Sequence, residues 1–120
     1  MAARNATWEK LHAFAASLPG AYDDMPWGDH CVKVGKKIFI FMGDPNAKQP
    51  HITIKLAGAH PAAMSIPGAA PTGYNLGKAG WVTIPIRRGT PPTAIALEWI
   101  EESYRLIAPK KLIAQLDASR

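Results

Sequence analysis

At 120 residues and 48% hydrophobic content, the chain has the size and apolar fraction of one folded domain spanning 1–120, too short for two cores and too apolar for a disordered tail. Fourteen Lys and Arg against nine Asp and Glu leave a net charge of +5, which attracts phosphates, anionic lipids or acidic protein surfaces without choosing among them. The single cysteine, Cys31, excludes an intrachain disulfide and any multi-cysteine zinc site; with nothing asking for an oxidising compartment, the expected location is the cytoplasm.

The opening "MAARNATWEKLHAF" reaches Glu9 and Lys10 before any apolar run develops, so it does not read as a secretory signal. No stretch approaches the roughly 18 apolar residues needed to span a bilayer, and no membrane association is expected. Trp8, Leu11, Ala15 and Leu18 recur at helical spacing, which predicts a first helix that Asn5 caps and Pro19-Gly20 stops. "AYDDMPWGDH" reads as a loop, with Asp23-Asp24 as turn or capping groups and Trp27 folding back as a lid on the core.

"CVKVGKKIFIFMG" predicts a hairpin, 31–34 and 38–42, turning at Gly35-Lys36-Lys37, and Ile38 to Phe41 are apolar on both faces, as in a central strand. After the polar turn "DPNAKQP", "HITIKL" alternates Ile52, Ile54 and Leu56 against His51, Thr53 and Lys55, the pattern of a half-buried strand with Lys55 toward water. From Gly58 to Pro71 only "HPAAMS" supports a helical turn or two, with Pro61 tolerated at its start.

Gly73 to Leu76 then reads as a short strand, Gly77 to Gly80 as a turn carrying Lys78 and requiring positive φ, and "WVTIPIRR" as the partner strand, which Pro85 marks as an edge or a strand's end. Thr90 before Pro91-Pro92 reads as a helix cap. Leu97, Ile100, Tyr104 and Ile107 give the last helix its inner stripe, with Glu98, Glu101, Glu102 and Arg105 outward and Pro109 ending it. The frame is α+β, with helices on one face of a mostly antiparallel sheet.

Three kinds of chemistry can be weighed on this frame. Gly73 and Gly77-Lys78 are too closely spaced for a phosphate-binding loop, Ala79 replaces the required hydroxyl, and a strand follows where a helix is needed. Cys31 beside His30 does not make a nucleophile–base pair, because adjacent residues of an extended chain point to opposite faces; Cys31 reads as a buried structural thiol. His12, His30, His51 and His60 show no ligand spacing, so no metal site and no cofactor are expected unless the fold itself assembles one. No catalytic residue is assigned and the chain is not expected to be an enzyme; that reading would need a concave pocket joining His30, Asp23 or Tyr74.

The basic residues are distinguished by position: Lys36 and Lys37 at the first hairpin, Lys55 on the next strand, Lys78 at the second turn, Arg87 and Arg88 at the end of the last strand. These six form a candidate anion-binding set, weighed against the ordinary use of lysines to protect turns and strand edges.

"PWGDHCVKVGKKIFIFMG", "ITIKL", "GYNLGKAGWVTI" and "LEWIEESYRLIAPKKL" together resemble the MmcQ/YjbR family of small bacterial proteins over nearly the whole chain. The resemblance implies a two-layer α/β sandwich of α-β3-α-β2-α order, like type III secretion chaperones, with Gly73 to Leu76 as a strand. It also implies DNA binding through a double wing of hairpins, here the turns at Gly35-Lys36-Lys37 and Gly77-Lys78-Ala79-Gly80. The second turn is poorer in basic residues than is usual in relatives. The expected function is therefore a small DNA-binding module contacting phosphates, without sequence reading. The alternative is a protein-interaction or chaperone-like domain that meets a partner through Trp27, Tyr74 or Trp99.

Overall fold

The computed structural model describes residues 6–25, 29–73, 76–87 and 89–119. Among these the chain runs α1 (Ala6–Ser17), β1 (Ala21–Asp24), β2 (His30–Val34), β3 (Lys37–Gly43), β4 (His51–Lys55), α2 (His60–Met64), β5 (Ala70–Pro71), a 3-10 turn (Leu76–Ala79), β6 (Trp81–Pro85), α3 (Thr93–Ile107) and α4 (Lys110–Ala118). The strands form a single antiparallel sheet in the order β1-β2-β3-β4-β6-β5. Asn5, Trp27, Tyr74, Asn75 and Arg88 lie outside the described residues, and with them the predicted cap and lid.

Cross-strand register explains which face is covered. Asp23, Val32, Ile40, Ile54 and Val82 stand opposite one another across five strands, and the four apolar members are fully buried beneath α1, α3 and, over β6, α2. The neighbouring row, Cys31, Phe41, Thr53 and Thr83, points the other way because side chains alternate along a strand. Among the described residues, no α-helix is packed on this row and the main core cluster includes none of the four, although Cys31 and Thr53 are themselves buried.

Two irregularities in β3 peg the helices to the sheet. Between Val32↔Ile40 and Lys33↔Ile38 the extra residue is Phe39; between His30↔Gly43 and Cys31↔Phe41 it is Met42. A bulge takes a residue out of the ladder and leaves its carbonyl seeking another donor. The Phe39 carbonyl accepts from the buried Ser103 hydroxyl of α3 at 2.5 Å, and the Met42 carbonyl accepts from Trp8 Nε1 of α1 at 2.8 Å. Phe39 also turns inward, its ring edge-on to Tyr104 at 5.4 Å.

The predicted stripe of α1 holds, with Trp8, Leu11, Ala15 and Leu18 all buried. In α3 the inner face is turned by one residue from the expected stripe: Ala96, Trp99, Ile100, Ser103 and Tyr104 are buried, while Leu97 and Ile107 flank them half-exposed. Small residues at 96 and 103 let the helix approach the sheet closely, so position rather than hydrophobicity alone selects the face. Trp99, only 6% exposed, belongs to this core and is no surface for a partner.

Four local expectations are corrected. Ala21–Asp24 is an edge strand and not a loop; antiparallel pairing with β2 satisfies its inward-facing amides and carbonyls, which outweighs the poor strand propensity of two aspartates. The short strand pairing with β6 is Ala70–Pro71; of the expected strand Gly73 to Leu76, Gly73 lies in a turn and Leu76 opens the 3-10 turn, while Tyr74 and Asn75 lie outside the described residues. Thr90 bonds reciprocally with Arg87, and α3 begins after Pro92 without a side-chain cap. Beyond Pro109 the chain resumes as α4, which seats Leu116 in the core. The α+β class stands, with the strand β1 and the helix α4 added to the expected order.

Candidate functional site

Antiparallel alternation decides where the basic residues fall. β2 ends, β3 begins, β4 ends and β6 begins at the same end of the sheet, so Lys36, Lys37, Lys55 and Lys78 share that end. Lys36 and Lys37 are exposed at a two-residue turn opened by Gly35, whose φ of +66° suits glycine. Lys55 is half-buried, and Lys78 is exposed in the 3-10 turn. The Leu56 amide donates to the Gly80 carbonyl at 2.9 Å, tying the end of β4 to the Lys78 turn.

Among the described residues, none of these four lysines pairs with a carboxylate. The nearby Glu102 carboxylate is instead held by the backbone amides of Ala57 and Ala59, at 2.8 and 3.1 Å. Pro109 stands about 4.0 Å from where a Cβ on Gly35 would be, so α4 starts beside the hairpin turn with Lys110 and Lys111 exposed. Sequence reasoning missed these two lysines; the signal was the "PKK" that follows the last predicted helix.

Arg87 lies elsewhere, past the opposite end of β6, where its Nη1 donates to the Pro67 carbonyl at 2.7 Å. Lys33 is engaged by Asp24 at 2.8 Å, which lowers the Asp24 carboxyl below its ordinary pKa through that hydrogen bond.

A second cluster forms where α1 crosses β1 and β2. Asp23 Oδ1 is 2.6 Å from His12 Nε2 and 3.0 Å from His30 Nδ1. The Trp8 indole stacks on His12 at 4.9 Å, nearly parallel, and stands edge-on to His30 at 5.1 Å. Burial of the Asp23 carboxyl raises its pKa, but hydrogen bonds from His30 and His12, with their charges, more than offset this and hold it below the ordinary value. Asp23 is thus an organising group and not the turn or cap expected of it. The histidine spacing gave no warning, because the hydrogen-bonding atoms arrive from three elements.

The other sheet face holds a cleft of about 270 Å³ lined by Asp29, His30, Cys31, Phe41, Gly43, His51, Thr53, Thr72 and Leu76. Thr83 Oγ1 lies 3.0 Å from both Thr53 Oγ1 and Thr72 Oγ1, a hydroxyl relay under this wall. Cys31 is 2% exposed, and burial pushes its thiol pKa up, aided by Asp24. A thiol so disfavoured as thiolate fits the structural role expected of it. His30 lines the cleft, Asp23 does not, and Tyr74 lies outside the described residues.

Among the described residues, no helix is long and apolar enough to cross a membrane. A family model described as YjbR matches residues 16–106, from the end of α1 almost to the end of α3. No curated protein matches the chain.

Proposed function

The chain belongs to the MmcQ/YjbR family, and on that premise we propose that it is a small, non-enzymatic DNA-binding module that holds the phosphate backbone on the lysine-bearing end of its sheet. The observation that carries this reading is the shared location of Lys36, Lys37, Lys55 and Lys78 with no carboxylate among the described residues paired to them. Lys110 and Lys111 extend the same surface, while Arg87, at the far end, is left out of it. The net charge of +5 adds a long-range attraction of the right sign.

Ammonium groups on flexible stems neutralise phosphates without reading bases, so the affinity is sequence-independent, on the order of 10⁻⁴ to 10⁻⁶ M at physiological salt, and steeply salt-dependent. Among the described residues, the Arg87 guanidinium bonds the Pro67 carbonyl and that of Arg105 pairs with Glu101 and Asp117, so neither is offered for bidentate base contacts in a groove. Fluorescence anisotropy of a labelled duplex, titrated at several salt concentrations, tests the proposal. Binding that weakens with salt and is cut by Lys36→Ala combined with Lys78→Ala supports it; no binding at low salt, or binding indifferent to that pair, rejects it.

The cleft favours a second reading, in which a protein segment lies against Phe41 and Leu76 and bonds to the threonine hydroxyls. Capture of a defined protein after nuclease treatment, abolished by Phe41→Asp, would move the conclusion there.

A further inference from the structure

We propose that His12, Asp23 and His30 form a binding site for a divalent first-row transition-metal ion, with zinc as the representative. The donor atoms of all three lie within 4.8 Å of one another and come from α1, β1 and β2, so only the folded chain brings them together. Two imidazole nitrogens and one carboxylate oxygen make a mixed donor set that suits zinc, iron(II) or nickel and disfavours magnesium and calcium, which prefer oxygen alone.

The geometry is close to what coordination requires. Metal–ligand bonds of about 2.0–2.2 Å put neighbouring donors about 3.0–3.4 Å apart, so the observed 2.6 and 3.0 Å separations need open by less than about 1 Å. Without a metal, both imidazoles donate an N–H to the same Asp23 oxygen. Moving the proton to His12 Nδ1 and to His30 Nε2, a tautomer change with no net gain or loss, turns the facing nitrogens into lone-pair donors.

Ring orientation is already set by Trp8, which stacks on one imidazole, meets the other edge-on and is itself held by its bond to the Met42 carbonyl. Fixed rings lower the ordering cost of binding. The side chains are 21%, 35% and 15% exposed for His12, Asp23 and His30, so the imidazoles are partly covered while Asp23 is exposed and leaves room for an ion that retains water in its remaining positions. A metal held here would clamp α1 to the edge of the sheet and stabilise the native state by mass action.

The test is calorimetric titration of the chelator-stripped full chain with Zn²⁺, and separately with Mg²⁺, alongside thermal melting. One Zn²⁺ per chain, a raised melting temperature and no response to Mg²⁺ are expected. His12→Gln and Asp23→Asn should each weaken Zn²⁺ binding about tenfold or more, and His60→Gln, outside the cluster, should not. Should either variant fail to fold, Co²⁺ added to the unsubstituted chain must shift the ring resonances of His12 and His30 and spare His60. Absence of Zn²⁺ binding, binding that survives in folded His12→Gln and Asp23→Asn chains, or Co²⁺ shifts centred on other histidines would overturn the proposal.

Discussion

Two turns of this protein carry the same Gly-Lys pair and use it in opposite ways. Gly35-Lys36 closes a hairpin whose turn is held by a single side-chain bond, the Tyr22 hydroxyl donating to the Gly35 carbonyl at 3.0 Å, with Pro109 about 4.0 Å from where a Cβ on Gly35 would stand. Gly77-Lys78 sits in a 3-10 turn held on three sides: the Gly77 amide donates to the Thr72 carbonyl at 3.0 Å, the Gly80 amide to the Gly77 carbonyl at 3.1 Å, and the Leu56 amide to the Gly80 carbonyl at 2.9 Å. A glycine–lysine dipeptide therefore says little by itself. What the backbone bonds to decides whether the lysine rides on a free tip or on a clamp.

The contrast can be broken first at the clamp. Gly80 has φ of +98°, and a Cβ there would lie 2.5 Å from the Leu56 carbonyl oxygen, a backbone atom with little freedom to yield. Gly80→Ala is expected to lose about 3 kcal/mol of stability, roughly a 10 °C fall in melting temperature by calorimetry. The free tip should matter more for binding: Lys36→Ala with Lys37→Ala should weaken duplex binding about tenfold at low salt, and flatten the plot of log affinity against log salt by about 1.8 if each lysine meets one phosphate.

Gly35→Ala meets no clash and only the left-handed conformation opposes it, so urea denaturation should register about 1 kcal/mol. Lys78→Ala is expected to be the mildest, about threefold in duplex affinity with a slope change of at most about 0.9. Equal stability losses at Gly35 and Gly80, or a larger binding loss at Lys78 than at the hairpin pair, would erase the distinction between tip and clamp.

Much of the frame was legible where the period was strong. The stripe from Trp8 to Leu18, the Cys31 to Met42 hairpin and the alternation of Ile52 and Ile54 all reappear in the fold, because each buries a face that its own spacing defines. The edge strand β1 was not legible: "AYDD" has no apolar period, and its pairing is dictated by the unbonded side of β2. Nor was β5, two residues long, or the 3-10 turn, where glycines accept whatever the neighbouring carbonyls impose.

The candidate sites divide the same way. Lys36, Lys37, Lys55 and Lys78 could be placed at turns and strand ends from sequence, and antiparallel order then brought them to one end. Lys110 and Lys111 join them only because α4 returns past the hairpin. His12, Asp23 and His30 are 11 and 7 residues apart, a spacing that belongs to no local element and becomes meaningful only once α1 lies across β1 and β2.

The margins of the sheet bear on how the protein behaves at high concentration. β1, at one margin, carries Asp23 and Asp24; β5, at the other, ends in Pro71, which has no amide hydrogen to give. An arriving ribbon of chain meets anionic groups on one side and a missing donor on the other. Growth into a fibre by annealing strands is thereby discouraged at both flanks.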